Sequence, residues 1–253
     1  GRYMNYQNTL MWKEINETPR IFGEIREANE KTMNALVAAI KNGKATNFVA
    51  AARGTSDHAL IFFKYVTEIY TKYTVGLSAP SVITLYNGNV NYENSVVIGC
   101  SQSGKAADVL EVIRKGNAQG AITVAVTNDE ESPLAKEAKF HLYCDCREEK
   151  SVAATKTFSA QLYLLSWLTY ELADNKADLE ALKNLKATAT EIIPQIDALT
   201  TKYAEQFKGM KSGFVLSRGI TFAIAMEATL KLQETCYIQM KGYPGSDFYH
   251  GPM

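Results

Sequence analysis

The sequence predicts an α/β fold built on a parallel sheet with helices on both faces, and three observations carry that prediction. Short runs that are apolar throughout, such as Ser95-Val96-Val97-Ile98-Gly99-Cys100, alternate with helical patterns. The two strongest runs each end in a turn of small and hydroxyl residues, Arg53-Gly54-Thr55-Ser56 and Ser101-Gln102-Ser103-Gly104. The Arg-Gly pair at 53 recurs at 218, 165 residues later, again after an apolar run and before a helix, which indicates an internal duplication.

Residues 1–43 read as an N-terminal helical segment. Pro19 suits a first helical turn, Met33, Leu36, Val37 and Ile40 recur at helical spacing, and Asn42-Gly43 ends the pattern. Residues 44–175 read as a first domain. Strands are predicted at 48–52, 74–77, 95–100, 121–127 and 140–144. Helices are predicted to about residue 70, at 80–86, at 105–114 and from Ser132-Pro133, and a long one carries Phe158, Leu162, Leu165 and Leu168. Residues 176–208, rich in Ala, Lys, Leu and Glu, read as a helical connector. Residues 209–253 begin the second copy and stop before its remaining strands. So short a sheet leaves a bare apolar edge. The natural chain is therefore expected to continue past Met253, or another body to cover that edge.

Composition narrows the class. Among 253 residues, 27 Lys and Arg balance 27 Asp and Glu, so charge gives no reason to expect a nucleic-acid or acidic-membrane partner. The chain is 46% hydrophobic and 21% charged, within the globular range. No run of about 18 apolar residues spans a membrane, and the N-terminus has no apolar signal core. Cys100 and Cys236 lie in apolar runs as small hydrophobes, and Cys144-Asp145-Cys146 is too tightly spaced for usual zinc sites. His58, His141 and His250 are scattered, so no metal is expected, and the cysteine usage reads as that of a reduced, cytoplasmic protein.

Ligands of parallel sheets bind beyond the carboxyl ends of the strands, where both turns lie. The Ser101–Gly104 turn combines hydroxyls, an amide and free helix-start N–H groups, which suits a phosphate monoester held without a lysine. Capping of the helix by serine explains the same residues, and both readings stand. Farther on, Glu227, Lys231 and Glu234 fall on one helical stripe at i, i+4 and i+7. A solvated salt-bridge face is one reading of that stripe. An acid–base group in a partly dry cleft is the other, because the flanking residues Ala223, Ile224, Ala225, Met226, Leu230 and Leu232 are apolar. Asp247-Phe248-Tyr249-His250-Gly251-Pro252 adds a histidine in a rigid turn.

Together, Arg53-Gly54-Thr55-Ser56-Asp57-His58-Ala59, Ser101-Gln102-Ser103-Gly104, Val152-Ala153-Ala154-Thr155-Lys156 and Glu234…His250-Gly251-Pro252 resemble the sugar isomerase (SIS) domain family. The likeness runs from about Met11 to Met253. It is nearest to two-domain members: the isomerase half of glutamine–fructose-6-phosphate aminotransferase and the SIS-type glucosamine-6-phosphate deaminases. The resemblance implies tandem flavodoxin-like αβα units, the second truncated here, a homodimer, a phosphosugar ligand and no cofactor. It implies that Ser101, Gln102, Ser103 and Ser56 hold the phosphate and that Thr55 and Val152 line the sugar. Glu234 would move a proton between C1 and C2, with Lys231 and Glu227 beside it. His250 would open the sugar ring, acting across a subunit boundary.

The sequence departs from the aminotransferase pattern in places. Ala106 and Ala154 stand where that enzyme usually has hydroxyl residues, Asp247 replaces a Glu, and the tail with its catalytic lysine is absent. The Val-Ala-Ala-Thr-Lys segment looks more like the deaminases and deglycases. With no glutamine-hydrolysing cysteine in the sequence, the expected reaction is catabolic: glucosamine 6-phosphate to fructose 6-phosphate and ammonia. Plain phosphosugar isomerisation, fructosamine-phosphate deglycation and non-catalytic phosphosugar sensing are the alternatives. Sensing fits less well, because Glu234 and His250 are both present and no basic helix-turn-helix segment accompanies them.

Overall fold

The computed structural model describes residues 5–244. Helix α1 (Leu10–Ile15) is capped by Thr9, whose hydroxyl accepts the Trp12 N–H at 3.2 Å. Helix α2 (Thr18–Asn42) starts with Pro19 in its first turn and buries Ile21, Ile25, Met33, Leu36 and Ile40 along one stripe. Five strands follow: β1 (Asn47–Ala52), β2 (Thr74–Leu77), β3 (Ser95–Cys100), β4 (Ile122–Thr127) and β5 (Phe140–Tyr143). They form one parallel sheet in the order β2-β1-β3-β4-β5. The connecting helices are α3 (Thr55–Tyr70), α4 (Ser81–Thr84), α5 (Ala107–Ala118) and α6 (Pro133–Glu137), with α7 (Lys156–Leu172) after the last strand.

Strand alternation splits the core in two. Val96, Ile98 and Cys100 face α2, α3 and α7 across a cluster anchored by Phe63, Leu164 and Trp167. Val97, Ala51 and Ala125 face α5 and α6 across a smaller cluster with Val109, Ile113 and Leu134. The edge strand β5 is closed by a side chain. Asn29 of α2 accepts the Tyr143 N–H at 2.7 Å and donates to the Tyr143 carbonyl at 2.8 Å. Strand order reverses between β1 and β3, so the loops leaving these two neighbours open a crevice at the carboxyl end of the sheet.

Helices α8 (Lys176–Lys183) and α9 (Leu185–Tyr203, with Pro194 inside) then lead to a second, two-stranded parallel sheet. Strands β6 (Ser212–Ser217) and β7 (Gln239–Pro244) flank α10 (Phe222–Cys236), which packs against α3. The two Arg-Gly turns share a positive-φ glycine, Gly54 and Gly219 both at φ +60°, although α3 starts directly after Gly54 and a short 3-10 turn, Gly219–Thr221, precedes α10. Phe214 and Leu216 of β6 are exposed, as expected for an apolar strand with a single neighbour. Among the described residues no helix is long and apolar enough to cross a membrane.

Two expectations change. The helix after the serine turn starts at Ala107 instead of Lys105, because Gly104 takes φ +66° and Ala106 is extended. Cys236, at the C-terminal end of α10, is exposed; Cys100, Cys144 and Cys146 are buried as expected.

Candidate active site

The crevice between the β1 and β3 loops is a cleft of about 470 Å³. Its floor is the serine turn. Ser101 Oγ accepts the Gly104 N–H at 3.1 Å, and Ser103 Oγ accepts the Lys105 N–H at 3.2 Å. Gly104 is required there: a Cβ would stand 2.1 Å from Ser132 Oγ. Helix α5 is capped by Ala106 with no side-chain bond, so simple serine capping does not account for the turn. Ser56, buried in the first turn of α3, accepts from Gln161 Nε2 at 2.9 Å. The other amide atom, Gln161 Oε1, is buried beside the cleft without a hydrogen-bond partner.

A side wall comes from the loop between β5 and α7, which is held by carboxylates beneath it. Glu149 accepts from the Thr155 N–H, the Thr157 N–H and hydroxyl, and Gln102 Nε2 at 3.5 Å. Glu14 of α1 is buried and accepts the Lys150 N–H at 2.6 Å and the Ser151 N–H at 3.1 Å. Lys156, only 2% exposed, reaches Glu17 at 2.6 Å and the Glu148 carbonyl at 2.9 Å. Over this frame Val152 stands 96% exposed at the rim of the cleft.

The opposite wall is α10. Lys231 Nζ donates to Glu234 Oε2 at 2.9 Å and to Thr55 Oγ1 at 3.2 Å, and lies 3.2 Å from Glu227 Oε1. Glu227 is buried. Its Oε2 is 2.7 Å from His58 Nδ1, and its Oε1 accepts from the Thr55 hydroxyl at 3.3 Å. The stripe is therefore an inward network, and the reading of it as a solvated salt-bridge face is corrected. The flanking apolar residues turn it inward, because α10 packs against α3 along this side.

Ser101, Gln102, Ser103, Ser56, Thr55, Val152, Lys231 and Glu234 thus line one cleft, with Glu227 one layer behind. His250 lies outside the described residues, as does Asp247. Arg53 and Lys105 line the same cleft. Sequence reasoning gives no role to His58, Gln161 or Glu149. His58 stands one turn past Thr55, and that spacing is the one local signal for it. The contacts of Gln161 and Glu149 depend on tertiary placement.

Electrostatics separate the inert groups from the exposed ones. Burial pushes the Cys100 and Cys146 thiols up to about 12, so both stay protonated. Burial likewise raises the Asp57 carboxyl, partly offset by neighbouring His58. Among the described residues no group of three His, Cys, Asp or Glu side chains is placed to hold a metal ion.

The fold and its cleft are those of a parallel α/β unit with a switch-point site, and the comparisons place it in a family. The SIS domain family model matches residues 40–170, about half of the chain, and this chain belongs to that family. A glutamine–fructose-6-phosphate aminotransferase [isomerizing] of Sulfurisphaera tokodaii is 31% identical over 246 residues, covering 96% of this chain and 41% of that protein. The chain spans about two-fifths of the length of the curated relatives it matches. A candidate phosphosugar isomerase from Silicibacter pomeroyi superposes with a TM-score of 0.87 at 29% identity, covering 97% of this chain and 74% of that one. The C-terminal domain of glucosamine-fructose-6-phosphate aminotransferase from Francisella tularensis gives 0.81 at 28%, covering 99% and 74%.

Proposed function

We propose that this chain is the phosphosugar-isomerising part of an aminosugar-phosphate deaminase, converting glucosamine 6-phosphate to fructose 6-phosphate and ammonia. One observation carries the reading: the serine turn and Glu234 line the same cleft, so a group anchored at one presents its carbon chain to the other. Ser56, Ser101, Gln102 and Ser103 hold the phosphate, while Thr55 and Val152 border the sugar. Lys231 keeps Glu234 oriented, and Glu227 holds Lys231 from behind. In the open-chain sugar, Glu234 takes the C2 proton and returns it to C1. The amine nitrogen gives up a proton as the aldehyde oxygen gains one, so the aldehyde carbon becomes CH2OH and C2 becomes an imine. Water adds to the imine carbon and ammonia leaves, giving the ketose. Positioned acid–base transfer of this kind contributes about 10²–10⁴-fold, and phosphate anchoring supplies orientation.

The division into 44–175, 176–208 and 209–253 belongs to this proposal. So do a homodimer, ring opening by His250 across its boundary, and a cytoplasmic location. The test is incubation of the full chain with glucosamine 6-phosphate, following ammonia and ketose. Release of both in equal amounts supports deamination. Ketose formation from an aldose phosphate without ammonia supports plain isomerisation, which the likeness to the candidate phosphosugar isomerase favours as second reading. Free amine from fructosamine phosphates marks a deglycase. Tight phosphosugar binding without turnover marks a sensor and removes the catalytic reading.

A further inference from the structure

Three cationic side chains line the cleft: Arg53, Lys105 and Lys231. Two are already committed. The Arg53 guanidinium is paired with Asp108, which is fixed in the first turn of α5, its Oδ1 accepting the Val109 N–H at 2.9 Å. Lys231 has Thr55, Glu227 and Glu234 within 3.2 Å and so directs its three protons to them. The cleft's one carboxylate-bearing lining residue, Glu234, is itself held on Lys231. Lys105, exposed at the mouth one residue after the turn, makes no ion pair among the described residues. Among the described residues it is the one cation lining the cleft without a carboxylate partner.

A phosphate monoester carries roughly 1.5 to 2 negative charges at neutral pH. The serine turn meets that charge with neutral donors, and adjacent Ala106 offers no hydroxyl. Building on the phosphosugar reading, we propose that Lys105 is a specificity-determining residue for the phosphate. Its ammonium pairs with the dianion in place of a hydroxyl at 106, while Asp108 withholds Arg53. The site then distinguishes phosphorylated from unphosphorylated sugars by charge as well as by hydrogen bonds.

Inorganic phosphate, titrated calorimetrically into the full chain at low and high salt, separates the roles. Lys105→Ala is expected to weaken binding about ten-fold and to flatten its salt dependence, with Lys105→Arg keeping both. Arg53→Ala is expected to change binding less than about two-fold, because its charge is already neutralised. Asp108→Asn is expected to tighten binding by releasing Arg53. Equal binding by Lys105→Ala and the parent overturns the pairing and leaves the phosphosugar reading intact, as does an Arg53→Ala loss matching that of Lys105→Ala. A parent chain that binds no phosphate at either salt overturns both.

Discussion

The two Arg-Gly units are the same local device in different surroundings. Each is a strand, a glycine at φ +60° and a helix, β1–Gly54–α3 and β6–Gly219–α10. Strand β1 has neighbours on both sides and is largely buried, whereas among the described residues β6 pairs with β7 alone and alternates between exposed and half-buried. Local sequence therefore sets the turn, and the number of neighbours sets the burial. The chemistry divides along the same line. The first unit presents the hydroxyls of Thr55 and Ser56 beside Arg53, which is paired with Asp108, and is anchored in the larger core. The second presents ionised groups that hold one another: Glu227, Lys231 and Glu234.

The sharpest way to break this division of labour is at Glu234. Glu234→Gln is expected to lower turnover by about 10²–10⁴-fold with little change in phosphate affinity; near-parental turnover would remove Glu234 from the mechanism. Next is the floor of the cleft. Gly104→Ala forces a Cβ onto Ser132 at positive φ and is expected to cost about 2–4 kcal/mol in denaturant unfolding. A smaller effect tests the duplication itself. At Gly54 and Gly219 no atom lies within 4 Å of where a Cβ would stand, so alanine at either meets only the backbone cost of positive φ. That cost is about 1–3 kcal/mol. Clearly unequal losses at the two sites would show that the turns are alike in shape but not in energetics.

The contact joining the units comes next. His58→Ala removes the Glu227 partner and is expected to lower kcat on the order of ten-fold while leaving KM nearly unchanged. His58→Asn, which keeps a donor near the Nδ1 position, should restore most of it; no difference between the two variants would mean the hydrogen bond is idle. The smallest effect concerns thiols. At pH 8 a thiol reagent should modify Cys236 in the native chain and spare Cys100 and Cys146, which burial holds protonated to about 12.

Much of this architecture is legible in the sequence, for a physical reason. Strands buried on both faces must be apolar throughout, so 95–100 announces itself, and Pro19 marks a helix start within one residue. The serine turn is legible because its residues are contiguous, within the six-residue link between β3 and α5. Spacing alone leaves the α10 stripe ambiguous, since a solvated ion-pair face and an inward network share one periodicity; α3 decides between them. Glu149, Gln161 and the Arg53–Asp108 pair are illegible because each joins residues made neighbours by the fold, with separations up to 105 positions.

A serine hydroxyl is amphoteric, receiving hydrogen bonds as readily as it gives them. In this cleft Ser56, Ser101 and Ser103 each spend a lone pair on a protein N–H, from Gln161, Gly104 and Lys105 respectively. Ser101 and Ser103 thereby keep their hydroxyl hydrogens available to donate, while Ser56 also contacts the buried Cys100 thiol, so the turn at the pocket floor is disposed toward acceptor-rich groups.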